Sequence, residues 1–217
     1  MVHSKQQEEK IVVQGPCGQL EALIVSPVEE AVRGIAVVCH PHPLHGGTMT
    51  NKVVHTAAKA LSARNLVTVR FNYRGVGASE GEYADTVGER EDLRAVVTWL
   101  QQQYPPQPLT LAGFSFGAYI AIAIAAQVET KALISIAPPV NYFDHSARAL
   151  QKLPSCPWLI VQGDADEVVP YDDVKRWHDD VASQAEFVTL PEAGHFFHRR
   201  LGDLQDTLAH WLHNKGV

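Results

Sequence analysis

The chain has 217 residues, 46% of them hydrophobic and 19% charged, with a formal net charge of -6. That is the balance of one folded α/β-sized domain able to bury a substantial core, and it excludes a disordered chain. The acidic balance, without any Lys/Arg run, argues against nucleic acid as a bulk partner, and no apolar run approaches the roughly 20 residues needed to cross a bilayer.

Met1 to Lys10 is polar and lacks the apolar core of a signal peptide. Two β-like segments follow, Lys10 to Gln14 and Gln19 to Val25, and the breakers Gly15-Pro16-Cys17-Gly18 between them predict a hairpin. Gly34 to Cys39 is an unbroken apolar run, as a central parallel strand should be, and it empties into His40-Pro41-His42-Pro43-Leu44-His45-Gly46-Gly47. Apolar residues at three- and four-residue spacing predict a helix from about Thr50 to Arg64. Leu66 to Tyr73 returns as a strand, and the loop Arg74 to Gly81 leads to a helix over Glu89 to Gln103.

Leu109 to Ala112 reads as a buried strand and the Ala/Ile-rich stretch Ala118 to Gln127 as a buried helix. Lys131 to Ala137 and Trp158 to Gln162 are further strands, Val174 to Ala182 a helix, Phe187 to Leu190 a last strand and Leu201 to His213 a last helix. Strands thus alternate with helices, which predicts an α/β fold: a mostly parallel sheet with helices on both faces and an antiparallel hairpin at its start. No repeat or linker marks a second domain, so residues 1–217 read as one. The cysteines Cys17, Cys39 and Cys156 are scattered, without metal-type spacing. They predict no disulfide framework and a reducing, cytoplasmic setting, each cysteine being a small packing residue.

The chemistry centres on Gly113-Phe114-Ser115-Phe116-Gly117, which joins a strand to a helix through a serine. A strand that turns directly into a helix strains the corner residue, and the flanking glycines let the two elements approach. This presents the Ser115 hydroxyl at the tip of the turn and at a helix N-terminus; an N-capping serine is the bland alternative. In such sheets ligands bind beyond the carboxyl ends of the strands. Asp164 and Asp166 follow one strand and His195 lies beyond the last, in Pro191-Glu192-Ala193-Gly194-His195. A serine, an acid and a histidine in that order form the set that can activate a hydroxyl as a nucleophile.

These motifs, with Asn72-Tyr73-Arg74-Gly75-Val76-Gly77-Ala78-Ser79 and the His-Pro-His-Pro loop, make the chain resemble the α/β-hydrolase superfamily from about Gly34 onward. The connection from Pro138 to Pro157, where many members insert a lid, is only about twenty residues long, so the resemblance is to a lidless, small bacterial esterase. It implies Ser115 as nucleophile, Asp166 as acid and His195 as general base. Asp164 is then a turn-forming aspartate, Asp144 a loop residue at a position some relatives use, and His198 a surface or packing histidine. A dienelactone hydrolase would carry cysteine at position 115.

An oxyanion hole needs two N–H donors. Phe116 supplies one, and because Pro41 and Pro43 have no N–H, His42 is the best second donor, with Leu44 as fallback. The three histidines of that loop, His40, His42 and His45, invite a metal reading, but the prolines restrict their convergence, and hydrogen bonds holding the loop are the preferred role. Arg74 with Gly75-x-Gly77 reads as a tight turn with a structural arginine rather than a phosphate loop. Tyr142, Phe143 and Phe197 are expected to line an acyl pocket, while Phe114 and Phe196 could be core. The expected activity is hydrolysis of small carboxylic esters through an acyl-enzyme, without cofactor or metal. A thioesterase, amide hydrolase or acyltransferase would use the same residues, and a non-catalytic binding protein could share the fold.

Overall fold

The computed structural model describes residues 5–143 and 152–217. The hairpin is β1 (Gln6–Gly15) and β2 (Gly18–Pro27), closed so that Gly15 faces Gly18 across Pro16 and Cys17, with Gly18 at φ 123°. Both strands run further than their apolar residues suggest. The polar stretch Gln6 to Glu9 pairs with β2 through its backbone and has no need of a buried face.

The remaining strands are β3 (Gly34–Cys39), β4 (Leu66–Phe71), β5 (Leu109–Phe114), β6 (Ala132–Ile136), β7 (Trp158–Gly163) and β8 (Glu186–Leu190). They form one sheet in the order β1-β2-β4-β3-β5-β6-β7-β8, parallel from β4 onward, with β2 antiparallel to β4. The helices are α1 (Lys52–Ser62), α2 (Val87–Gln103), α3 (Phe116–Ala125), α4 (Tyr171–Asp180) and α5 (Leu201–Asn214). Helices α2, α3 and α4 pack with Val37, Leu111 and Ile160 in one core; α1 and α5 pack with Val38, Ala112 and Val161 in the other. Covered on both sides, β3, β4, β5 and β7 are buried at every residue, which is why their sequences show apolar runs instead of alternation.

Local signals explain the start of α1. The Asn51 side chain accepts from the N–H of Val53 at 2.8 Å and caps the helix. The carboxyl ends of β3, β4, β5, β7 and β8 all lie at one end of the sheet, and the loops bearing the candidate residues gather there. Asp144 falls outside the described residues, as does part of the connection between β6 and β7.

Candidate active site

Strand β5 runs to Phe114 and α3 begins at Phe116, leaving Ser115 alone between them. Its backbone sits at φ 53°, ψ -122°, a conformation a side chain disfavours, and its N–H is tied to the Ile136 carbonyl at 2.8 Å. Both flanking glycines are required by space. A Cβ on Gly113 would lie 2.1 Å from the Gly117 oxygen, and one on Gly117 would lie 2.4 Å from the Cys39 oxygen. The second contact presses the start of α3 against the end of β3, so the elbow and the His40–Gly47 loop share one small space.

Ser115 Oγ lies 3.1 Å from His195 Nε2, and His195 Nδ1 lies 2.9 Å from Asp166 Oδ2. An ionised carboxylate only accepts, so Nδ1 carries the proton and Nε2 keeps a lone pair facing the serine. Asp166 is held as a charged acceptor. Burial raises its pKa, but the His195 hydrogen bond and charge, with the N–H groups of Val169 and Val168, more than offset this and hold it below the ordinary range. Those N–H groups meet Oδ1 at 2.7 and 2.9 Å, while Gln162 Nε2 donates to Oδ2 at 3.0 Å. Ser115, Asp166 and His195 are all buried, which strengthens each of these contacts.

The loop bearing His195 is tied to the loop bearing Asp166 by neighbours that the sequence reading undervalued. Asp164 Oδ1 accepts from the Glu192 N–H at 2.6 Å, so Asp164 spans two loops rather than closing a local turn. Glu167 Oε2 accepts from the His195 N–H at 3.1 Å, and Gly194 leaves room for that carboxylate. Gln162 had a readable signal: a polar residue in the apolar run Trp158–Gly163 demands a buried partner.

In the His-Pro-His-Pro loop, His40 Nδ1–H donates to the Pro41 carbonyl at 2.6 Å and Nε2 accepts from the Tyr73 N–H at 3.1 Å. Burial pushes the His40 pKa down to about 4. His42 Nδ1 accepts from the Leu44 N–H at 3.2 Å, and its ring lies 4.9 Å from Phe116 and 5.2 Å from Tyr83. Residues Pro43–His45 form a single 3-10 turn absent from the sequence reading. Arg74 has the structural environment expected of it: its guanidinium and backbone N–H all engage Asp92, in a pair buried on both sides. No group of three or more His, Cys, Asp or Glu side chains placed to hold a metal occurs among the described residues.

The aromatic residues divide. Phe143 stands 5.6 Å from Phe116 and 6.2 Å from His42, and Tyr142 beside it is 64% exposed. Phe197 does not line the site. Its N–H donates to the Gly194 carbonyl, and the residue, at φ 51°, turns its ring inward to full burial in the core of α1 and α5. The same turn sends Phe196 outward, 39% exposed, with its ring 5.2 Å from His195; Phe114 is fully buried, 5.0 Å from the same imidazole. His198 is exposed beside Phe196. Hollow size is no guide to this site, since a hollow of about 700 Å³ lined by Pro105, Pro108, Lys131 and Pro157 lies at the opposite end of the sheet.

The sheet order, the strained serine between β5 and α3, and the loops converging on it define an α/β serine hydrolase fold without a lid. The family follows: residues 31–156 match the family model described as serine aminopeptidase, S33, and the chain belongs to that α/β-hydrolase family. The chain is similar to an alpha-beta serine hydrolase homologue from Coxiella burnetii, with 50% identity, a TM-score of 0.87, and 93% of this chain and 96% of that one covered. It is also similar to an α/β serine hydrolase without lid from Xanthomonas campestris, with 41% identity, a TM-score of 0.88, and 96% and 94% covered. An uncharacterized protein of Rickettsia prowazekii is 35% identical over 213 residues, 94% of this chain and 88% of that protein.

Proposed function

We propose that the protein is a serine hydrolase that cleaves small carboxylic esters, with Ser115 as nucleophile, His195 as general base and Asp166 as the acid that orients it. The observation that carries this reading is the hydrogen-bond line from Asp166 Oδ2 through both ring nitrogens of His195 to Ser115 Oγ, at 2.9 and 3.1 Å. Ser115 Oγ attacks the ester carbonyl carbon as its proton passes to His195 Nε2. The imidazolium, stabilised by Asp166, then gives that proton to the departing alkoxide as the carbonyl–oxygen bond breaks. Water attacks the acyl-serine, His195 takes its proton, and the proton returns to Ser115 Oγ as the acid leaves.

The N–H groups of Phe116 and His42 bind the oxyanion in this mechanism. Two features support the pair. Phe116 is the first residue of α3, so its N–H has no acceptor within the helix, and the Leu44 N–H is already engaged by His42 Nδ1, which leaves His42 as the loop donor. Tyr142 and Phe143 form the apolar wall for the acyl group, and the absence of a lid favours short or protruding acyl chains. Thioesters, amides and acyl transfer share the steps up to the acyl-enzyme and differ in the leaving group.

The test is a panel of nitrophenyl esters from acetate upward, with a thioester and an anilide of the same acyl groups, on wild type and Ser115→Ala. The expected result is turnover greatest on the short esters and reduced to background in the variant. Folded wild-type protein that turns over none of the panel would overturn the proposal.

A further inference from the structure

The face of the sheet beneath α1 carries a charged group that the active site does not use. Arg70 projects from β4, in the middle of the sheet, with a side chain only 4% exposed. A buried guanidinium is costly unless its donors are met, and here they are met incompletely. Nη1 donates to the Met49 carbonyl at 3.1 Å, Nη2 pairs with Glu8 of β1 at 2.5 Å, and Nε has no partner among the described residues. Glu8 is itself half exposed, at 49%, so the inner charge is capped by a carboxylate at the surface.

Over this pair lies a cavity of about 270 Å³ whose polar lining is Gln6, Glu8, His55, Lys59, Ser62 and Arg70. His55 and Lys59 are one helical turn apart on α1 and both border the cavity. The basic side chains Arg70, Lys59 and His55 therefore border the cavity with a single carboxylate, in a chain whose net charge is -6. The pKa of His55 is lowered by desolvation first and then by the Arg70 charge, with Glu8 opposing and Lys59 adding to the lowering. Glu8 meets Arg70 through one oxygen only, Oε2 on Nη2, and leaves Nε unmet. Donors arriving from both β4 and α1 are better matched by a group with three oxygens around one centre.

We propose that this cavity is a binding site for a small phosphorylated ligand, whose phosphate takes the place of the Glu8 carboxylate on Arg70 and is held by Lys59 and His55. The cavity is larger than the phosphate itself and leaves room for the carbon skeleton of a monoester beside Val25 and Ala58. Nothing in this proposal depends on the chemistry of Ser115.

The roles of the residues make the test specific, because Glu8 is a competitor and Lys59 a ligand. Inorganic phosphate and glycerol phosphate would each be titrated into wild type, Glu8→Gln and Lys59→Ala, following heat by calorimetry and the His55 ring protons by NMR. The expected result is binding at millimolar concentration or tighter, weakened about tenfold by Lys59→Ala and tightened several-fold by Glu8→Gln, with the His55 pKa rising on saturation. Ester hydrolysis by Lys59→Ala should equal that of wild type, which keeps a folding defect apart from a binding defect. Absence of binding by wild type with either ligand, equal binding by wild type and Lys59→Ala, or weaker binding by Glu8→Gln would each overturn the proposal.

Discussion

Substituting Asp166 by Asn tests the electrostatic core of the site with almost no change of shape. The carboxylate accepts four hydrogen bonds, from the N–H groups of Val168 and Val169 on Oδ1 and from Gln162 and His195 on Oδ2. An amide has one oxygen. Turned toward the two backbone donors, it places its NH₂ against His195 Nδ1, which must then lose its proton and accept. The proton moves to Nε2, the atom 3.1 Å from Ser115 Oγ, and the imidazole can no longer take the serine's proton. Loss of the correct tautomer in a comparable triad lowers kcat by about 10⁴, equivalent to about 5 kcal/mol of transition-state stabilisation. The variant also sets an NH₂ against the Gln162 donor, at a cost of about 1–3 kcal/mol in folding stability. Steady-state kinetics on a nitrophenyl ester, beside urea unfolding, separates the two effects. A folded Asp166→Asn protein that keeps kcat within about tenfold of wild type would refute the tautomer reasoning.

Other consequences are as direct. Gly117→Ala sets a Cβ against the Cys39 and His40 carbonyls, both backbone, so the elbow must move off the His40–Gly47 loop. We expect kcat to fall at least about a hundredfold and urea unfolding to show a loss of about 3 kcal/mol. Glu167→Ala frees the His195 N–H and should lower kcat about tenfold at unchanged KM, whereas Glu167→Gln, whose amide oxygen still accepts, should retain most of the activity. Asp92→Ala strands a buried Arg74 and should cost about 3–5 kcal/mol by urea unfolding. His40 has a folded pKa of about 4, depressed by burial, so the unfolded chain binds the extra proton first. Its contribution to stability is therefore complete above the unfolded pKa of about 6.5 and shrinks by roughly 3 kcal/mol as pH falls toward 4. His40→Gln should flatten that slope. Asp166, with a depressed carboxylate pKa, acts in a lower window, its stabilisation being lost as pH falls below about 3.9 and through its folded value.

The architecture was legible because its buried strands are unbroken apolar runs and its turns carry Gly and Pro. The order of helices and strands in the sequence is the order in the structure; the hairpin strands, α2 and α3 begin earlier than their apolar residues suggest, α4 is shifted by a few residues, and α1, β4 and β6 are shorter than the apolar pattern. Ser115, Asp166 and His195 were legible because each stands just past a strand, and parallel strands carry such positions to one edge. What holds them was not. Asp164 reads as a turn-forming aspartate and Glu167 carries no signal of its own, because their partners are backbone N–H groups 28 positions away. Phe197 was misread because adjacent aromatics look alike in sequence, while a single positive φ decides which of the pair faces in. All three cysteines are free thiols; Cys39 packs in the core, its thiol pKa pushed up to about 12 by burial, and Cys156 is half-buried, but Cys17, also expected to pack, is exposed at the hairpin turn.

The proposed hydrolysis stands or falls on whether Ser115 is an activated nucleophile. Its most direct measurement is the intact mass of the protein after exposure to a small fluorophosphonate, with the modified peptide mapped and Ser115→Ala and His195→Ala treated in parallel. We expect one adduct per chain, located at Ser115, absent from Ser115→Ala and strongly slowed in His195→Ala. Folded wild-type protein that gains no mass, or gains it at a residue other than Ser115, would contradict it.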